Sequence, residues 1–535
     1  MPPCLSLRPS CPHFTRFTLA VALALPAATP AGAQTLRWAS QGDPQTMDPY
    51  SQNEGLTNMV NGQVYEFLVA RDRRMNLVPG LATEWKQDSP TKWTFKLRRG
   101  VKFHDGRPFT ADDVVFSIQR AREKTSQIAV YAAPLGEVRK LDDHTVEFDL
   151  PRFDPVFLQH VNLVYIMSRS WCVEHHAEHP QNFTAGEETW TALHANGTGP
   201  YVLESRQPDV KTVLRRNPDY WQPIAGNVQQ VVYTPIRNAG TRVAALLSHE
   251  VDFVLDPPPS DLGRLRADGQ IQIVDGMENR IVFIGMDQAR DQLLYSSVKG
   301  RNPFKDERVR RAMYEAIDIE AIRTRLMNGQ ALPTGAMAPT PKADFDDPAL
   351  EKRLPYDVAG AKRLLAEAGY PDGFEVTLDC PNNRYINDER ICIALASMWA
   401  KIDVKVRVNA MPRATYFPKL DKLDTSLYML GWGGPVDDAE TIFTPVMRNR
   451  GADGVGAFNY GNSRDDVFDR LAAASTQEPD PARRGALIRQ AFAREHEQVH
   501  LIPLHRQVIP WAMWKGVSVV HRPDNWLEVS WITMK

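Results

Sequence analysis

The spacing of apolar residues along the chain predicts short strands that alternate with amphipathic helices. Residues 92–98 alternate polar with apolar side chains, which is the pattern of a half-buried strand. Residues 51–69 carry apolar side chains at helical spacing, so a helix there would bury one face. Another helix is predicted to begin at Thr110, because Thr110 and Asp113 have the spacing of a capping box. This mixture of patterns is typical of an α/β protein.

The alternation continues in the second half of the chain. Strands are predicted at residues 374–378, 404–408 and 427–430, and a helix that begins at Asn387 is predicted over residues 387–402. A chain of 535 residues is too long for one hydrophobic core. Two or three domains are therefore expected.

The stretch 426–443 is the main candidate for a ligand-binding segment. A buried strand is predicted at its start, and a glycine-rich turn that carries Trp432 and Gly433 follows. A helical segment is then predicted to open on Asp437 and Asp438. Glycines let a ligand approach the backbone, an indole offers stacking area, and carboxylates accept hydrogen bonds from a cation. The alternative is that Trp432 only covers a core beneath the turn.

The first 33 residues have the order of a secretory signal peptide. Arg8 and Arg16 precede an apolar run at residues 17–25, and a tract of small residues follows. Cleavage is predicted before Gln34, which would deliver a soluble protein to the periplasm. No later stretch of the sequence approaches the ~20 consecutive apolar residues of a membrane-spanning helix.

Charge and motifs argue against several classes of function. The chain has 63 basic and 65 acidic residues, so it lacks the excess positive charge that nucleic acids and anionic membranes attract. The sequence contains no Gly-x-Ser-x-Gly motif. Asp437 and Asp438 are adjacent, and on a helix their side chains would diverge by about 100°. We therefore predict no catalytic residues, with an exported hydrolase as the less favoured alternative.

The cysteines leave open whether the mature chain contains a disulfide. Cys4 and Cys11 are predicted to leave with the signal peptide, and Cys172 has no evident partner. Cys380 and Cys392 are close enough in sequence for a disulfide, although two buried free thiols are the alternative.

A helix is predicted over residues 171–179, where His175 and His179 are four residues apart. They would share one face and could bind a metal with Cys172 or Glu174, or they could simply lie on the helix surface. No metal site and no cofactor are predicted.

Several segments together resemble the family 5 extracellular solute-binding proteins, which include the dipeptide, oligopeptide and nickel receptors of ABC importers. They occur in the family's order over nearly the whole mature chain. The segments are residues 81–85, 93–97, 101–114, 197–201, 216–221, 308–312 and 431–432.

This resemblance implies a two-lobed α/β clamp with an extra subdomain inserted in lobe one and hinge crossovers near residues 280 and 511. A ligand would close the lobes, and an inner-membrane ABC permease would recognise the closed form. The receptor is expected to be a monomer. The implied segments are a signal peptide at 1–33, lobe one at 34–72, 199–280 and 512–535, the inserted subdomain at 73–198 and lobe two at 281–511.

The resemblance also implies a set of ligand-binding residues. The ligand is expected to be a peptide or another small organic solute. Pro435 stands where peptide-binding members carry an Asp that takes the peptide's α-ammonium group, which argues against peptide capture of that kind. Receptors for nickel, metal chelates or haem on the same fold are the alternatives. The predicted site residues are Trp432, Gly433, Asp437, Arg384, Tyr385, Asn53, Glu54 and Gly55.

Overall fold

The computed structural model of the protein describes residues 34–340, 347–434, 436–452 and 454–535. The predicted signal peptide, with Cys4 and Cys11, lies outside these residues, as does Pro435. Within them, no helix is both long enough and apolar enough to cross a bilayer.

Strands and helices alternate through the described residues. The strands are β1 Thr35–Ser40, β2 Val69–Arg71, β3 Leu77–Pro79, β4 Ala82–Ser89, β5 Lys92–Leu97, β6 Glu137–Asp142, β7 Thr145–Asp149, β8 Tyr201–Gln207, β9 Lys211–Arg216, β10 Gln230–Pro235, β11 Phe253–Val254, β12 Ile271–Met286, β13 Ala331–Pro333, β14 Phe374–Pro381, β15 Val404–Met411, β16 Leu427–Gly433, β17 Leu501–Trp514, β18 Val517–Ser518 and β19 Thr533–Met534. The helices are α1 Gly55–Asn61, α2 Ala111–Ala121, α3 Ala129–Ala132, α4 Phe157–Val161, α5 Arg169–Glu174, α6 Ala239–Leu247, α7 Leu262–Ala267, α8 Glu307–Glu315, α9 Ile319–Ala321, α10 Pro348–Glu351, α11 Val358–Glu367, α12 Asp388–Trp399, α13 Arg413–Asp421, α14 Glu440–Ile442, α15 Asp466–Ser475 and α16 Pro481–Gln498.

One mixed sheet organises the described part of the chain. It has eleven strands in the order β15-β14-β16-β12-β17-β11-β1-β10-β9-β8, with β13 paired to β17. The long strands β12 and β17 pair antiparallel in its middle. Their register shifts between Met277 and Ile281, opposite Val508 and Arg506. The irregularity lies next to the predicted crossover at residue 280.

Apolar side chains on the two sides of this irregularity form separate cores. The first core contains Leu36 of β1 together with Phe95 of β5, so the four-stranded sheet β4-β5-β7-β6 shares it. A smaller core on the same side of the irregularity contains Ala39 of β1 and Val254 of β11. Two further cores lie on opposite faces of the second half of the sheet, because successive residues of a strand point to opposite faces. Ile284 enters one of them with Trp399, and Phe283 enters the other. We refer to the part around the first and the smaller core as lobe one and to the part around these two further cores as lobe two.

The helix predicted over residues 51–69 is wrong in its length, since α1 ends at Asn61. The carbonyl oxygens of Gln63 and Val64 accept hydrogen bonds from the backbone of Tyr201 and Gly199, at 3.0 and 2.9 Å. These tertiary bonds replace the intrahelical bonds that the apolar spacing favoured.

The cysteine question is resolved by a disulfide between Cys380 and Cys392, which joins β14 to α12, while Cys172 is free and buried. Helix α5 ends at Glu174, so the prediction that His175 and His179 share a helix face is wrong. His175 stacks on Trp190 instead, with ring centroids 4.8 Å apart, and His179 bonds to Glu123 at 2.8 Å.

Candidate functional site

A cavity of about 1840 Å³ is lined by residues of both lobes. Lobe one contributes the loop before α1, with Asn53 and Glu54, and lobe two contributes the segments that follow β14, β15 and β16. These three strands are parallel, since β14 pairs in parallel with both β15 and β16. Their carboxyl ends therefore meet at one edge of the sheet, where α/β proteins commonly bind ligands.

Most of the predicted site residues line this cavity. Asp437 is not among the lining residues. Its carboxylate accepts a hydrogen bond from the Thr340 hydroxyl at 2.8 Å, and its N–H donates to the Gln159 side chain at 2.9 Å. The predicted residues that line the cavity are Asn53, Glu54, Gly55, Arg384, Tyr385, Trp432 and Gly433.

Trp432 stands at the end of β16, opposite Ile281 of β12. Its indole N–H donates to the carbonyl of Thr441 at 2.5 Å, and its ring packs on Phe458 with centroids 4.6 Å apart. One side of the indole thus covers a lobe-two core, while the residue also lines the cavity. The predicted roles of core cover and ligand contact are compatible here. What Trp432 offers a ligand is its ring surface, because its single donor is already used.

Gly433 is required by the close approach of β16 to β12. A Cβ atom at this position would lie 1.7 Å from the carbonyl oxygen of Asn279, far inside van der Waals contact. The helix predicted to open on Asp437 and Asp438 begins later, at Glu440, so that prediction is wrong in its start. Asp437 therefore precedes the helix, and it does not line the cavity although Val436 does.

Asp388 holds the loop that carries Arg384 and Tyr385. Its carboxylate accepts from the backbone N–H groups of Arg384 and Tyr385 at 2.9 and 3.0 Å, and burial raises its pKa to about 6. Asn387, the predicted helix cap, has φ 57° and donates its side-chain amide to the Leu326 carbonyl at 2.8 Å. Asn387 thus occupies the predicted cap position before α12, but its side chain makes no capping hydrogen bond.

Several arginines line the cavity, among them Arg280, Arg384 and Arg413. Arg413 lies 3.0 Å from Glu54, which joins lobe two to lobe one, and Arg280 lies 2.9 Å from Glu278. The Arg384 guanidinium has no hydrogen bond or ion pair with any described residue, and it lies 5.1 Å from the centre of the Tyr385 ring. Arg384 therefore presents a positive charge to the cavity that no described carboxylate pairs.

The pKa directions agree with this distribution of charge. Burial, followed by the charge of Arg280, lowers the pKa of Arg384. Burial alone would raise the pKa of Glu54, but the charges of Arg413 and Arg384 hold it below its usual value. An anion bound at Arg384 would stabilise the charged guanidinium and so offset the effects of burial and of the Arg280 charge.

Arg280 and Arg413 are site residues that were not predicted. Arg413 follows the carboxyl end of β15, so its place beside two parallel strands was a usable signal. Arg280 lies inside β12, and only the register with β16 reveals that it faces the cavity.

One further motif, His496-Glu497-Gln498-Val499-His500, has the His-Glu-x-x-His spacing of zinc-dependent hydrolases. Helix α16 ends at Gln498, and Val499 has φ 49°, so the two histidines do not share a helix face. His500 bonds to Gln288 at 2.7 Å and to Asp465 at 3.2 Å. Among the residues that the structure describes, no group of three or more His, Cys, Asp or Glu is arranged to hold a metal ion.

Two lobes with separate cores, a paired strand crossing between them and a charged cavity lined by both define a two-lobed solute-binding clamp. The model of the bacterial extracellular solute-binding proteins, family 5 Middle, matches residues 76–454. The chain belongs to this family, as the sequence motifs predicted.

Relatives and solved structures extend the similarity over most of the chain. Di/tripeptide-binding protein 1 of Pseudomonas aeruginosa is 28% identical over 521 residues, which cover 92% of this chain and 93% of that protein. Heme-binding protein A of Haemophilus influenzae is 27% identical over 479 residues, covering 84% and 83%. The periplasmic binding protein DppA of Helicobacter pylori, solved with the peptide STSA, matches with a TM-score of 0.81 at 22% identity, covering 94% and 98%. The predicted fold class is confirmed.

Proposed function

We propose that this protein captures a peptide or another small organic solute that bears a carboxylate and delivers it to an inner-membrane ABC permease. The observation that carries the proposal is the Arg384 guanidinium, which lines the cavity without a hydrogen-bond or ion-pair partner among the described residues. A guanidinium binds a carboxylate through two parallel hydrogen bonds. The peptide-binding relatives in Pseudomonas aeruginosa and Helicobacter pylori support the class of solute.

Capture would couple ligand contacts to closure of the two lobes. The solute would meet Arg384 and the ring of Trp432 on lobe two, and Asn53 and Gly55 on lobe one. A ligand that touches both lobes stabilises the closed form by as much as it prefers that form. The permease would then recognise the closed receptor.

Export and organisation form part of the same proposal. Residues 1–33 would act as a signal peptide cleaved before Gln34, and the mature protein would work in the periplasm as a monomer without catalytic activity. The proposal also includes the lobe boundaries that the resemblance implied and hinges at the crossovers near residues 280 and 511.

A haem receptor is the second candidate. The cavity of about 1840 Å³ exceeds the roughly 300–1,000 Å³ of ordinary small-molecule pockets. The similarity to a heme-binding protein points in the same direction.

Native mass spectrometry of protein isolated from the periplasm tests these proposals. We expect a discrete co-purifying solute with a carboxylate, lost on denaturation and absent from Arg384→Met. Recovery of a tetrapyrrole would favour the second candidate. Hydrolysis of added peptides by the purified protein would refute the assignment as a receptor without catalytic activity.

A further inference from the structure

Helix α4 of lobe one touches the turn before α14 of lobe two, away from the charged pocket wall. Phe157 and Val161 of α4 belong to the lobe-one core, whereas Ala439 and Ile442 belong to a lobe-two core. A contact between these two segments is therefore a contact between lobes, and it forms only when the lobes are together.

His160 of α4 lies in this contact and is buried. Its Nδ1 is 2.7 Å from the carboxylate of Asp154, which precedes the same helix. Its Nε2 is 3.5 Å from the carboxylate of Glu440 in lobe two. A neutral imidazole carries one N–H, so only the doubly protonated ring donates towards both carboxylates.

Gln159, the residue before His160 in α4, adds a hydrogen bond between the lobes. The side-chain oxygen of Gln159 accepts the N–H of Asp437 at 2.9 Å and the guanidinium of Arg71 at 3.1 Å. Two consecutive residues of α4 thus reach the segment from Asp437 to Glu440.

The other groups around the imidazole come from α3 and α16. The Tyr131 ring of α3 lies 6.3 Å from it, centre to centre. Arg484 of α16 binds Asp438 at 2.7 Å and is attracted by both Glu440 and Asp154. Burial opposes the charge on His160, but Asp154 and then Glu440 outweigh burial and raise its pKa to about 10.

We propose that His160 is a positioning residue for solute capture, whose imidazolium bridges Asp154 of lobe one and Glu440 of lobe two and so holds the lobes closed. This inference rests on the proposed clamp. It adds a clasp that no ligand touches, formed by His160, Gln159, Asp437 and Glu440.

The clasp makes closure depend on pH. Opening removes Glu440 from His160, so the closed form holds the proton more tightly than the open form. The stabilisation is complete below the open-form pKa and is lost as the pH rises towards about 10, the pKa in the closed form. Each unit of difference between the two pKa values changes the closed-to-open ratio tenfold.

Small-angle X-ray scattering of the ligand-free full-length mature protein, between pH 6.5 and 9.5, tests the clasp without a solute. We expect wild type to open as the pH rises. Glu440→Gln should have a lower closed-to-open ratio at pH 6.5, by about tenfold for each unit of His160 pKa that Glu440 supplies, and a weaker dependence on pH. His160→Gln should behave in the same way, and the double variant should add no further opening.

His194→Gln is the matched control, because His194 is an exposed histidine of the same subdomain whose ring stacks on Trp190. Thermal unfolding of each variant shows whether it is folded. Wild-type scattering from a folded Glu440→Gln at every pH would overturn the clasp. A protein whose scattering follows the expected pattern but that retains no solute in native mass spectrometry would instead contradict the proposed function.

Discussion

Replacing Arg384 with methionine separates ligand binding from folding. The guanidinium has no hydrogen-bond or ion-pair partner among the described residues, and burial and Arg280 both disfavour its charge. Its loss should therefore leave the free energy of unfolding unchanged or raise it. A hydrogen-bonded contact to a charged group contributes about 1.5–3 kcal/mol, so affinity for a carboxylate solute should fall about 10- to 150-fold.

Isothermal titration with the solute identified by mass spectrometry measures this affinity, and urea unfolding measures stability. Arg390→Met is the matched control, since Arg390 is an exposed arginine six residues further along. Wild type should bind an amidated form of the solute as weakly as Arg384→Met binds the free acid. If Arg384→Met bound the free acid with wild-type affinity, the assignment of Arg384 as the carboxylate-binding residue would be wrong.

Three other substitutions test separate parts of the structure. Trp432→Ala should reduce the ligand-induced change in fluorescence and weaken binding by about 0.5–1.5 kcal/mol, and unchanged values would place the pocket elsewhere. Gly433→Ala should lower the melting temperature, because its Cβ would lie 1.7 Å from the Asn279 carbonyl oxygen, and an unchanged melting temperature would contradict the fixed β12–β16 spacing. Replacing both Cys380 and Cys392 with serine should lower the free energy of unfolding by roughly 3 kcal/mol in urea titrations, and dithiothreitol should then have no further effect.

Parts of the site that depend on local sequence were predictable. The strand and glycine turn around Trp432 can be identified from a short pattern, because the backbone there is set by glycines and by an apolar run. Arg384 and its loop were predicted from the family resemblance instead. The pair formed by Glu54 and Arg413 could not be predicted, since 359 residues separate its members and only the folded sheet brings them together.

Local prediction also failed where hydrogen bonds or ion pairs to distant residues determine the structure. The helix after residue 55 was predicted too long, because nothing in its own sequence shows that Gln63 and Val64 bond to the strand that begins at Tyr201. His160 was not predicted for the same reason. Its partner Glu440 is supplied by the other lobe, and the residues around it on α4 look like those of an ordinary amphipathic turn.

The break in register between β12 and β17 has a mechanical consequence. Because the two strands remain hydrogen-bonded on both sides of the break, the lobes are joined by one stiff ribbon rather than by two loose tethers. We expect a ribbon whose register shifts between Met277 and Ile281 and again between Val282 and Phe283 to bend there and to resist shear and independent rotation. Motion of one lobe against the other would thereby be confined to about one axis, so that a solute that favours closure would rotate every surface of lobe two by the same angle.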